Sequence, residues 1–145
     1  MGSAAGAGVS AGAGVDFSVE FTYMAGMGSA GVYSHSGTGG ALQGSATLYV
    51  YVKNSDSKIY HHAVSGSETL SGGGGGITAT EGMRIRARRN TSGNWQVEYS
   101  TDGGTNWSVA AADVITGSSS TQYPFAAVFG ATGYKCFRPR HRGYS

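Results

Sequence analysis

The side chains best suited to chemistry in this sequence are three tyrosines and a histidine, Tyr49, Tyr51, Tyr60 and His62. They occupy alternate positions in two apolar runs, so each run is expected to place them on one side of a β-strand. Aromatic rings can stack on the apolar face of a sugar ring, and tyrosine hydroxyls can form hydrogen bonds with it. The same arrangement is also typical of a contact between subunits or between sheets, and that alternative stays open.

A hairpin is predicted to bring these side chains together. Residues 46–53 and 58–64 flank the polar stretch from Asn54 to Ser57, which predicts a four-residue loop. The tyrosines and His62 then share one side of the hairpin. The aliphatic residues share the other side with His61, which is expected to be a core histidine. The expected cross-strand pairs are Tyr51 with Tyr60, Tyr49 with His62, Val52 with Ile59, and Val50 with His61.

Positive charge is concentrated in the second part of the chain. Residues 1–82 contain two lysines and five acidic residues, whereas residues 83–145 contain eight basic and three acidic residues. An alternating stripe and the C-terminal tail are therefore candidate contacts for an acidic protein surface. The candidate partner-binding residues are Arg84, Arg88, Arg138, Arg140 and Arg142. For the stripe, a solvated sheet face is the alternative, with Arg86 paired to Glu98. Nucleic acid fits less well, because few aromatic residues accompany these arginines.

A turn with a recognisable pattern follows the stripe. Residues Ser100 to Trp107, with the sequence STDGGTNW, resemble the Asp-box hairpin of sialidases and other β-propeller proteins. The resemblance implies that Asp102 accepts backbone N–H groups, that a glycine takes a positive φ, and that Trp107 packs beneath the turn. A propeller requires repeated copies, and the sequence has one, so sialidase activity is not expected. The motif predicts a folding device.

The composition favours an all-β fold. Glycine accounts for 26 of the 145 residues and recurs between short runs of β-branched and aromatic residues, which argues against a helical bundle. Beyond the hairpin, a short extended piece is expected around Val32 and Tyr33. Further strands are predicted at residues 15–23, 83–89, 95–101, 107–111, 123–131 and 134–138. Short strands at this spacing predict an antiparallel β-sandwich of the jelly-roll type.

The stretch from Gly82 to Ser108 resembles consecutive strands of concanavalin A-like and laminin G-like jelly rolls. Such domains occur in lectins and in bacteriophage tail and capsid-surface proteins. The resemblance implies a concanavalin A-like sandwich, and it implies sugar binding or particle assembly as the functions to be weighed.

Composition also divides the chain into three parts: residues 1–14 as a low-complexity Gly/Ala arm, residues 15–138 as the β-sandwich domain, and residues 139–145 as a basic tail. The small side chains of the arm bury too little area to offset the entropy of ordering it, so a neighbouring subunit or partner is expected to hold it. The N-terminal residues lack the cationic region and apolar core of an export signal. No run of about 18 apolar residues predicts a membrane span.

The sequence contains no motif that indicates catalysis, a metal or a cofactor. Its eight carboxylates are scattered, and Cys136 is the single cysteine. We therefore predict a non-enzymatic structural protein of a virus particle, a bacteriophage virion, made in the host cytoplasm. It would decorate a capsid or tail as a homo-oligomer that docks on other virion proteins such as the major capsid protein. The alternative is a carbohydrate-binding, lectin-like module that binds a host glycan, either as a tail-fibre receptor-binding head or as an extracellular lectin.

Overall fold

The computed structural model describes residues 2–5, 11–26, 29–36, 47–63, 66–129 and 139–143, and it describes side chains within 11–26, 29–36, 47–63 and 66–126. The strands in these ranges are β1 (Gly2–Ala5), β2 (Phe17–Thr22), β3 (Ser29–His35), β4 (Leu48–Val52), β5 (Ile59–Ala63), β6 (Thr69–Leu70), β7 (Arg84–Arg89), β8 (Trp95–Ser100), β9 (Ser108–Ile115), β10 (Tyr123–Phe129) and β11 (Pro139–Gly143).

The strands form two antiparallel sheets packed face to face. The six-stranded sheet has the order β1-β10-β3-β4-β5-β6, and the five-stranded sheet has the order β11-β2-β7-β8-β9. The all-β sandwich predicted from the sequence is confirmed. No helix that could cross a membrane occurs among the described residues.

The core lies between the sheets, where the alternation of each strand places its apolar residues. Phe17, Val19 and Phe21 point inward from β2 and are at most 1% exposed. Phe17 meets Trp95 edge to face, with ring centroids 6.1 Å apart. Full burial of a side chain such as Phe17 contributes about 1.5–3 kcal/mol. The sandwich is therefore held by the period-two pattern that the sequence displays.

The predicted hairpin register is confirmed in β4 and β5. Tyr51 pairs with Tyr60, and Tyr49 pairs with His62, on the outer face of the six-stranded sheet. On the inner face His61 is buried, and its Nδ1 lies 2.8 Å from the Ser71 hydroxyl. Burial lowers the pKa of His61, which favours the neutral imidazole expected of a core histidine. The loop residues between the strands thus fix which side chains share each face.

The two terminal strands differ from the sequence expectation. The segment interpreted as an arm supplies β1, which pairs with β10 of the same chain, and Ala11 exchanges backbone hydrogen bonds with Gln122. The segment interpreted as a tail supplies β11, which pairs with β2. Pairing at a sheet edge satisfies backbone N–H and C=O groups without a large side chain, so the Gly, Ser and Ala residues of β1 are sufficient to form this strand. The strand predicted at residues 134–138 lies outside the described residues.

The turn after β8 is built as its motif implies. The Asp102 carboxylate accepts hydrogen bonds from the Asn106 backbone N–H at 2.9 Å and from the Ser100 hydroxyl at 2.7 Å. Gly103 and Gly104 have φ angles of 74° and 92°, a region that favours glycine. Trp107 donates its indole N–H to the Gly104 carbonyl at 3.1 Å. These contacts close the turn that connects β8 to β9.

Because of this turn, the free energy of unfolding is expected to fall in acid. Hydrogen bonds from the Asn106 backbone and then from Ser100 lower the pKa of Asp102 from 3.8 to about 2. A carboxylate with a lowered folded-state pKa contributes stability that is present above pH 4 and lost as the pH falls toward 2. We expect Asp102→Asn to reduce the loss of unfolding free energy between pH 4 and pH 2, as measured by urea unfolding. Asp113→Asn, which removes an exposed carboxylate from β9, is the control. Parallel pH profiles for Asp102→Asn and the unsubstituted protein would contradict the expectation.

Candidate functional site

The outer face of the six-stranded sheet carries a row of aromatic rings, which we call the aromatic face. Its members are Tyr33, Tyr49, Tyr51, Tyr60, Tyr123 and Phe125. Tyr33 and Phe125 stack with centroids 5.0 Å apart and planes 7° apart, and Tyr49 and Tyr51 lie 4.6 Å apart. Tyr51 and Tyr60 follow at 6.0 Å. Four strands thus contribute to one continuous aromatic cluster.

Most of the aromatic face is closed to solvent. Tyr33, Tyr49 and Phe125 are at most 2% exposed, and Tyr51 is 8% exposed. Tyr60 and Tyr123, at opposite ends, are only partly buried. Tyr49 therefore cannot offer its ring to a ligand, although the sequence places it among the candidate sugar contacts. Of the four predicted sugar contacts, Tyr49 and Tyr51 are buried, whereas Tyr60 and His62 are partly buried.

Polar side chains surround Tyr60 and form what we call the Tyr60 cluster, which consists of Tyr51, Lys53, Asp56, Tyr60 and Glu68. Glu68 accepts hydrogen bonds from the Tyr51 hydroxyl and the Lys53 ammonium. Tyr60 donates its hydroxyl to Asp56 Oδ2 at 2.5 Å. The Lys53 ammonium lies 4.6 Å from the centroid of the Tyr60 ring, a cation–π contact.

These hydrogen bonds set the charge states of the Tyr60 cluster. The hydrogen bond from Tyr60 lowers the pKa of Asp56. Burial acts to raise the pKa of Glu68, but the hydrogen bonds from Lys53 and Tyr51 outweigh it and lower that pKa. Burial, followed by the hydrogen bond to Glu68, raises the pKa of Tyr51. Both carboxylates are therefore ionised at neutral pH, while Tyr51 keeps its proton.

A glycine on β3 makes room for this arrangement. Gly31 pairs with Tyr51 on the outer face. A Cβ at position 31 would lie 2.2 Å from the Val50 carbonyl oxygen and 2.5 Å from Tyr51 Cβ. Such distances are far inside van der Waals contact, so β3 can approach β4 this closely only because residue 31 has no side chain. Gly31 thus fixes the position of Tyr51 and, through Glu68, of the Tyr60 cluster.

The chemistry available at the Tyr60 cluster is that of recognition. A partly exposed ring lies beside hydroxyl, carboxylate and ammonium groups, which together can stack on and hydrogen-bond to a polyhydroxylated molecule. Within the described ranges, no three His, Cys, Asp or Glu side chains are grouped so that they could hold a metal ion. Lys53 ends the predicted run of residues 46–53 but was not predicted as a contact, and Glu68 was missed because it precedes a strand of only two residues. Lys53 follows Tyr49 and Tyr51 at alternate positions, so the sequence pattern could have placed it on the same face of the strand.

The fold is similar to that of galectins. A toad ovary galectin in complex with thio-digalactose aligns with 97% of this chain and 99% of its own, at a TM-score of 0.52 and 9% identity. A tetrameric galectin from the ball sponge Cinachyrella sp. aligns with 99% of both chains, at a TM-score of 0.49 and 13% identity. The exoplasmic/lumenal domain of VIP36, in a form bound to Ca2+ and Man3GlcNAc, aligns with 87% of this chain and 64% of its own, at a TM-score of 0.49 and 13% identity. The toad galectin supports the jelly-roll sandwich as a fold. The sequence matches no protein-family model and no curated protein.

The arginines of the predicted stripe lie on the outer face of the five-stranded sheet, where each contacts a carboxylate of its own chain. Their ion pairs are Arg84 with Glu20, Arg86 with Glu98, and Arg88 with Asp16 and Glu98. The Trp107 ring lies over this row, 3.7 Å from the Arg86 guanidinium carbon. Arg84 and Arg88, predicted as partner contacts, are thus engaged within the chain. The predicted pairing of Arg86 with Glu98 is confirmed.

The C-terminal arginines join the stripe through the sheet topology. Arg140 lies opposite Glu20, and Arg142 lies opposite Ser18, in the pairing of β11 with β2. The backbone of the predicted tail is therefore part of the same sheet as the stripe. Arg138 lies outside the described residues. The structure brings two of the three tail arginines next to the strand that pairs with the stripe, which the sequence did not predict.

Proposed function

We propose that this protein is a carbohydrate-binding module, without catalysis, that binds a glycan at the Tyr60 cluster. The observation that carries the proposal is the Tyr60 ring, which is partly exposed at one end of a mostly buried aromatic face and contacts polar groups of the Tyr60 cluster. The toad galectin of similar fold was studied with a bound sugar. Since one fold serves many functions, that likeness supports the proposal only beside the geometry.

Each group of the Tyr60 cluster has a part in such binding. The Tyr60 ring would stack on the apolar face of a sugar, while Asp56 and Glu68 accept hydrogen bonds from its hydroxyls and Lys53 donates one. The Lys53 and Glu68 side chains are 36% and 39% exposed. The Lys53 ammonium lies over the Tyr60 ring, so a sugar that stacks on that face must displace it from the ring.

The structural role in a virus particle stays a prediction, and so do the oligomer and the virion location. One argument for that prediction was an arm with no partner in its own chain; the others were the lack of a catalytic motif and the opposite charges of the two parts of the sequence. Here β1 pairs with β10, and Ala11 is fully buried beside Gln122, within one chain. Their order thus needs no neighbouring subunit, which removes this argument for assembly and favours the carbohydrate-binding alternative.

Tyr60→Ala is expected to weaken glycan binding by about tenfold to a hundredfold, which is equivalent to about 1.4–2.8 kcal/mol. The reason is loss of the one accessible ring in the cluster. A glycan array probed with the purified protein identifies a ligand, and calorimetric titration of that ligand measures the affinity.

Tyr60→Phe, which keeps the ring and loses the hydroxyl, is expected to retain most of the affinity. Tyr123→Ala, at the opposite end of the aromatic face, serves as the control and is expected to bind like the unsubstituted protein. Absence of binding to every glycan on the array, or equal affinity in Tyr60→Ala, would overturn the proposed site.

A further inference from the structure

The charges of the Tyr60 cluster restrict which glycans it can take. Building on the proposed function, we infer that the site selects neutral glycans and discriminates against glycans that carry sialic acid, uronic acid or sulfate. Asp56 and Glu68 are the specificity-determining residues in this inference.

The two carboxylates bind different members of the Tyr60 cluster. Asp56 Oδ2 is 2.5 Å from the Tyr60 hydroxyl, at the tip of the ring. Glu68 binds the Tyr51 hydroxyl and also the Lys53 ammonium, which itself lies over the Tyr60 ring. A ligand stacked on Tyr60 is therefore close to two negative charges. Sugar hydroxyls can donate to both, whereas a carboxylate or sulfate would meet like charge.

The lysines of this region do not offset those charges for a ligand. Lys53 is already paired with Glu68, so an acidic sugar must compete for it with a carboxylate of the chain. Lys58 donates its backbone N–H to Asp56 at 3.0 Å, but its ammonium is 2.5 Å from the Gly75 carbonyl oxygen. The described arginines lie in β7 and β11, which belong to the other sheet. Each described lysine of the six-stranded sheet thus already has an acceptor in its own chain.

The test compares matched oligosaccharides that differ in one substituent. The probes are a neutral oligosaccharide bound on the array, the same chain capped with sialic acid, and the same chain carrying one sulfate. We expect the neutral form to bind at least tenfold more tightly than either acidic form in calorimetric titration. Equal or tighter binding of the acidic forms would overturn the inference while leaving glycan binding at Tyr60 intact.

Variants assign the discrimination to the two carboxylates. Asp56→Asn with Glu68→Gln removes both charges and keeps hydrogen-bonding side chains of the same shape, so the ratio of neutral to acidic affinity is expected to fall several-fold. Asp113→Asn removes an exposed carboxylate from the five-stranded sheet and is expected to leave that ratio unchanged. An unchanged ratio in the double variant would overturn the assignment to Asp56 and Glu68. If none of the probes binds, the proposed function fails and the inference fails with it.

Discussion

Arg89→Met is expected to lower the free energy of unfolding by about 3–4 kcal/mol. Arg89 is fully buried, and its guanidinium donates to the carbonyls of Ser120 at 2.8 Å, Ala11 at 3.1 Å and Gly12 at 2.6 Å. Burial lowers its pKa, which records the cost of placing the charge there. Methionine fills the volume but leaves these carbonyls without their donor, and the N-terminal segment loses its link to β7.

Arg88→Met is the matched control for this substitution. Arg88 is the preceding residue of β7, but it faces outward, where its pair with Asp16 is partly exposed at 32% and 44%. Its second, longer contact is with Glu98, which keeps its pair with Arg86 in the variant. Loss of the Arg88 side chain is expected to cost less than about 1 kcal/mol. Urea unfolding followed by tryptophan fluorescence measures both, because Trp95 is fully buried. Equal losses of unfolding free energy in the two variants would show that the hydrogen bonds from Arg89 to the carbonyls do not hold the N-terminal segment in place.

Gly31→Ala is expected to destabilise the protein by about 3–5 kcal/mol, or to prevent folding. The added methyl group would meet the Val50 carbonyl oxygen at 2.2 Å and Tyr51 Cα at 2.6 Å, both backbone atoms that cannot rotate away. Relief requires β3 and β4 to separate, which breaks ladder hydrogen bonds in the middle of the six-stranded sheet. Because Tyr51 moves with β4, glycan affinity is expected to fall in whatever fraction still folds.

Gly12→Ala and Gly75→Ala separate this clash from the general effect of replacing a glycine. A Cβ at either position has nothing within 4 Å. The free energy of unfolding of both variants, measured in the same urea titration, is therefore expected to lie within about 1 kcal/mol of that of the unsubstituted protein. A Gly31→Ala protein as stable as these controls would mean that the strands can shift without loss.

Local patterns predicted the parts of the fold that depend on neighbouring residues in the sequence. The β4–β5 register followed from a four-residue loop, and the pairing of Arg86 with Glu98 followed from the next hairpin. Alternation alone places Arg89 inside, after Ile85 and Ala87. The charge of arginine argued against that position, and only the carbonyl partners that the fold supplies make it favourable.

Features that depend on distant contacts could not be predicted. Phe125 belongs to the aromatic face because β10 pairs with β3, a strand that lies far from it in the sequence. Glu68 precedes a strand of only two residues, too short to show a period. Tyr49 is buried among residues from other strands of the aromatic face, which the local sequence does not reveal. A tyrosine that was predicted as a sugar contact is therefore inaccessible.

The pairing of β1 with β10 sets an order for folding during synthesis. Ala5 pairs with Phe125, so β1 leaves the ribosome long before its partner strand exists. At roughly 5–20 residues per second, the delay is on the order of ten seconds. The pairings of β3 with β4, β4 with β5, β7 with β8 and β8 with β9 join neighbouring strands and can close in that time, whereas β1 waits for β10 and β2 waits for β11. Until β10 has been made, the backbone N–H and C=O groups that β1 will pair with it are bonded to water.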